Sequence, residues 1–112
     1  MTDSINSFSE SESESDHESK QEVQLSIDDE VINGFFSNLS ILNFRSEEFV
    51  LDFAFIQPSI PKGAVGSRVI ITPKHAKRLQ LMLQHGLDQY ENQVGPVGDD
   101  QEPDMNVRFS VN

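Results

Sequence analysis

The chain has 112 residues, no cysteine and a formal net charge of -11. These totals exclude a disulfide framework and a thiolate metal site, and they oppose non-specific binding to nucleic acid or an anionic membrane. The charge is unevenly spread: residues 1–22 hold seven acids and one lysine, residues 95–112 four acids and one arginine, and residues 23–94 eight acids against six Lys or Arg. The acidity therefore belongs mostly to the two ends.

Residues 1–22 alternate Ser and Glu with almost no apolar side chain. Such a stretch cannot offset its ordering entropy, and it reads as a disordered acidic arm. It serves as a solubilising arm, a phosphorylatable tract or a mimic of a nucleic-acid backbone; composition does not separate these. The opening Met1-Thr-Asp-Ser-Ile-Asn is unlike a signal or transit peptide, and no run approaches the ~20 apolar residues of a membrane span, so the expectation is a soluble cytoplasmic protein with no membrane partner.

Residues 23–94 carry the single predicted domain. Val23, Leu25 and Ile27 alternate with polar residues and predict a first strand. Asp28-Asp-Glu breaks the pattern, and Gly34 marks a bend. Phe35–Arg45 predicts a second strand, with Leu39 and Ile41 on one side and Phe36, Leu42 and Phe44 on the other. After the short link at Ser46-Glu-Glu, Phe49–Ile56 predicts a third strand. Its Phe49, Leu51, Phe53 and Phe55 make one apolar face, and Val50, Ala54 and Ile56 make the other, interrupted by Asp52.

Residues 57–66, with two prolines and two glycines, read as a loop long enough to meet a protein partner. Val69-Ile-Ile predicts a fourth strand running into Thr72-Pro73, a strong helix start. Ala76, Leu79, Met82, Leu83, Leu87, Tyr90 and Val94 then recur at helical spacing, and Gly95-Pro ends the helix. Residues 95–112 read as a flexible acidic tail, with the alternating Val107–Val111 either loose or an added edge strand.

The expected fold is α+β: a four-stranded antiparallel meander followed by one long amphipathic helix packed on one face. Two strands are apolar on both sides while only one helix is available, so the second face calls for another cover. The cheapest cover is a second copy, which makes Phe36, Leu42, Phe44, Val50, Asp52 and Ile56 candidate oligomer contacts. The alternative is a face covered by the tails or left wet.

No catalytic, cofactor or metal motif is present. His75 and His85 stand ten residues apart on one helix, about 15 Å along its axis and too far for shared coordination. The clearest charge feature is positive. No acid falls between Asp52 and Asp88, where Lys62, Arg68, Lys74, His75, Lys77 and Arg78 gather. Cations in the first turns of a helix oppose its dipole by about 0.3–1 kcal/mol each. They form an anion or partner site, a dock for the acidic tails, or a solvated face. Function reads as non-catalytic homo-oligomeric binding, with a nucleic-acid-associated regulator or an acidic decoy as the alternative.

Three blocks carry a family resemblance: Gly34-Phe-Phe-Ser-Asn-Leu, Ser46-Glu-Glu-Phe-Val-Leu-Asp-Phe and Ser67-Arg-Val-Ile-Ile-Thr-Pro-Lys-His-Ala-Lys-Arg-Leu. Through them residues 22–94 resemble a family of small bacterial and archaeal proteins catalogued as a domain of unknown function. The resemblance implies no activity, but it implies that Asn38, Asp52, His75 and Arg78 matter for folding or binding. Four strands then a helix is also similar to the subunit of SecB-type export chaperones, a likeness of fold order alone.

Overall fold

The computed structural model describes residues 9, 21–98 and 106–111; most of the acidic arm read from the sequence, and residues 99–105 and 112 of the tail, lie outside them. The architecture is α+β: a single helical turn α1 (Asp29–Ile32), three strands β1 (Leu39–Phe44), β2 (Phe49–Ile56) and β3 (Gly63–Ile71), and a long helix α2 (Pro73–Gln93). The sheet is an antiparallel meander in the order β1-β2-β3.

Among the described residues three strands form, not four. The expected first strand does not: residues 21–28 carry no ladder, and Val23, Leu25 and Ile27 are 72, 92 and 60% exposed. Alternation states which side chains a strand would bury, but a ladder also needs an open edge, and none is engaged here. Within the chain, residues 106–111 form no strand either.

The second strand is shorter than its apolar run because its aromatic start leaves the ladder. Phe35 lies against Gly66, where any Cβ would collide with its ring. Phe36 meets Phe55 edge-on at 5.9 Å. Asn38 then takes over the pairing that a backbone would have made: its side-chain amide donates to the Ile56 carbonyl at 2.9 Å and accepts from the Ile56 N–H at 2.8 Å.

The third predicted strand, β2, has the expected bounds. The fourth starts six residues early, at Gly63. Its glycines read as loop signals, yet each answers a close approach within the sheet. A Cβ on Gly63 would sit 2.6 Å from the Phe55 carbonyl oxygen. Gly66 is the extra residue of a bulge, since Phe53 faces Ser67 while Ala54 faces Val65.

The helix start is as predicted: the Thr72 hydroxyl accepts from the His75 N–H at 3.0 Å, and Pro73 follows at the first helical position. The packing is looser than expected. No side chain of α2 is buried. Between helix and sheet lies an open groove of about 560 Å³, walled by Leu42, Phe49, Leu51 and Ile71 on one side and Ala76, Leu79, Leu83 and Leu87 on the other. Among the described residues one apolar side chain, Ala54, is buried, and one polar one, Asp52.

Candidate functional site

Cross-strand partners share a face of a sheet, so the register assigns each side chain. Leu42 lies opposite Leu51 and Phe44 opposite Phe49, which places both on the groove face. Ile71 faces Phe49 and Val69 faces Leu51, extending that face across β3. Val50, Asp52 and Ala54 point the other way, beside Ile41, Arg68 and Ile70. The six residues proposed as oligomer contacts thus divide. Leu42 and Phe44 stand on the groove face, with Phe36 against Phe55 of the same face, whereas Val50, Asp52 and Ile56 stand on the reverse. The physical reason is the ladder register, which no single strand's alternation states.

Asp52 is the best-defined polar position. Its side chain has no exposed surface, although the Arg68 side chain over it is 57% exposed. The pair is two-pronged: Arg68 Nε donates to Oδ1 at 2.6 Å and Nη2 to Oδ2 at 3.0 Å. The two sit directly opposite one another on β2 and β3. The Arg68 hydrogen bonds hold the Asp52 carboxyl below the usual carboxylate range; desolvation opposes this and the Arg68 charge assists it. The same hydrogen bonds push the Arg68 guanidinium up. A carboxylate held ionised in this way is a poor proton donor near neutrality, and its geometry is that of a cross-strand clasp.

The cation cluster read from the sequence is redistributed by this pairing. Arg68 is engaged by Asp52 on the sheet. Lys62 sits in the link before β3, while Lys74, His75, Lys77 and Arg78 occupy the first turns of α2. Lys74 and Lys77 are exposed, and His75 and Arg78 are half-buried. Lys77 borders the groove. No acid occupies the first turn of α2, so that helix end keeps its uncompensated positive character.

Sequence reasoning missed two features. One is the Asp52–Arg68 clasp itself, whose partners are sixteen residues apart and meet only through the β2–β3 register. The other is the apolar groove, which exists because the helix stands off the sheet. The sole signal for either was Asp52 standing alone among apolar neighbours.

The chain belongs to the family described as "Protein of unknown function (DUF3467)", which matches residues 8–99. No curated protein and no solved structure matches it significantly. The family description assigns no activity, and no described helix is long and apolar enough to cross a membrane.

Proposed function

We propose that the chain is a small, non-catalytic binding or adaptor protein that works as a homo-oligomer. The observation that supports this is how few of the described side chains are buried. Phe36, Phe44, Leu42, Ile70, Leu81 and Leu83 are each 51–73% exposed, and they lie on both sheet faces and on the helix. A monomeric domain rarely leaves contiguous apolar surface of more than a few hundred Å² open, and larger patches mark interaction sites. Three strands and one helix cannot cover each other's apolar faces, so a second copy is the cover most simply at hand.

Light scattering and native mass spectrometry on the full chain at micromolar concentration test this. A dimer or higher assembly is expected, with a Tm that rises with protein concentration. A monomer with a concentration-independent Tm would remove the proposal. The measurement belongs at physiological salt, because copies of net charge -11 repel one another most at low ionic strength.

A further inference from the structure

Two halves of an unmade strand pairing coexist in this chain. One is the segment Val23–Ile27, apolar at alternate positions and exposed, with no ladder partner. The other is the outer edge of β3, which no described strand borders. The bulge at Gly66 divides β3, and the regular part beyond it, residues 67–71, equals the segment in length. Val69 and Ile71 stand on its groove face, with Val69 40% exposed.

Charge separates this edge from the other one. The segment is flanked by Glu22 before it and Asp28-Asp-Glu after it. The regular part of β3 holds Arg68 and is followed by Lys74, while Lys62 precedes the strand as a whole. The β1 edge is followed by Arg45 and then Glu47 and Glu48, so acid would meet acid there. Antiparallel pairing is the better bonded sense, and it brings Glu22 opposite Thr72, two residues from Lys74.

Resting on the oligomer reading above, we infer that residues 23–27 of one copy add as a fourth strand to the β3 edge of a second copy, and reciprocally. Val23, Leu25 and Ile27 then continue the apolar face of Val69 and Ile71, while Gln24 and Ser26 lie on the Arg68 side. Centring the five residues on residues 67–71 sets Leu25 opposite Val69. The exchange adds a fourth strand to the three that the described residues of each copy form, and it removes an exposed edge that would otherwise template aggregation.

Because the chain has no cysteine, single thiols can be placed without background. Full-length Leu25→Cys, carrying a mass tag, is mixed with full-length Val69→Cys, oxidised mildly and weighed intact, with the oligomeric state read in parallel. The expected product is the heterodisulfide, well above the twofold excess over either homodisulfide that random pairing gives, and for the chain bearing both substitutions, covalent dimers. An assembly without the heterodisulfide overturns the exchange and leaves the oligomer reading standing. An intrachain disulfide in the double variant shows the segment folding onto its own edge and also overturns it. A monomer removes both. As a check without thiols, Ser26→Pro takes away a ladder donor, because Ser26 falls opposite Arg68, whose backbone groups face the open edge while those of Val69 bond to Leu51, and the dissociation constant of the assembly should rise about tenfold or more. No change in that constant would count against the exchange.

Discussion

At the scale of single residues, the Asp52–Arg68 clasp is asymmetric, and the asymmetry is testable. The arginine reaches water along much of its length, whereas the carboxylate has no exposed surface. Removing Asp52 releases a cation that solvent can take up; removing Arg68 strands a desolvated carboxylate. Arg68→Ala should therefore lower Tm more than Asp52→Asn does, by differential scanning at pH 7. The pH dependence has a definite sign. The folded carboxyl is lowered, so the contribution of the pair is complete above the unfolded carboxylate value of about 3.9 and is lost as pH falls through the lower folded value. Urea melts between neutral pH and about pH 3 should show a steeper acid loss for the native chain than for Asp52→Asn. Equal slopes would mean that the clasp carries no linked proton.

At the scale of elements, the bulge in β3 depends on Phe35 occupying the place of a missing side chain. Gly66→Ala sets a methyl group against that ring and should destabilise the fold by about 1–3 kcal/mol, measured by denaturant unfolding. Phe35→Ala together with Gly66→Ala should restore part of this loss, because the two changes meet at one contact. The same contact shows why some elements were legible in the sequence and others were not. β2 and α2 announce themselves through local signals: seven apolar residues around one Asp, and a Thr-Pro start before a helical stripe. The start of β3 hid behind Gly63 and Gly66, whose small size answers neighbours from distant parts of the chain rather than a local turn. Val23–Ile27 misled for the opposite reason. Its period is a strand's period, but a strand exists only where another edge receives it. The clasp was half legible, since Asp52 stood out while its partner was read as one cation among six.

Across the whole molecule, the usual source of register is missing. A strand with one wet face is held in place because a one-residue slip would expose its apolar set. β1 has Leu39 and Ile41 on one face and Leu42 and Phe44 on the other, so such a slip exchanges one apolar row for another. The link from Arg45 to Glu48 is closed by one backbone bond, from the Arg45 N–H to the Glu48 carbonyl at 2.9 Å. Hydrophobic pattern alone leaves the hairpin nearly degenerate. The Asn38 amide, with one donor and one acceptor set against the two backbone groups of Ile56, fits at a single offset of β1 along β2. It therefore acts as an index pin, converting a sheet that could slide into one with a single alignment. Asn38→Ala should cost about 1–2 kcal/mol of stability and, more tellingly, split the β1 amide resonances into two or more sets as shifted alignments become populated. A single sharp set would mean that the pin lies elsewhere. In a fold with so little buried mass, one carboxamide does the work that a core does in larger domains, choosing among alternatives that burial alone would rate as equals.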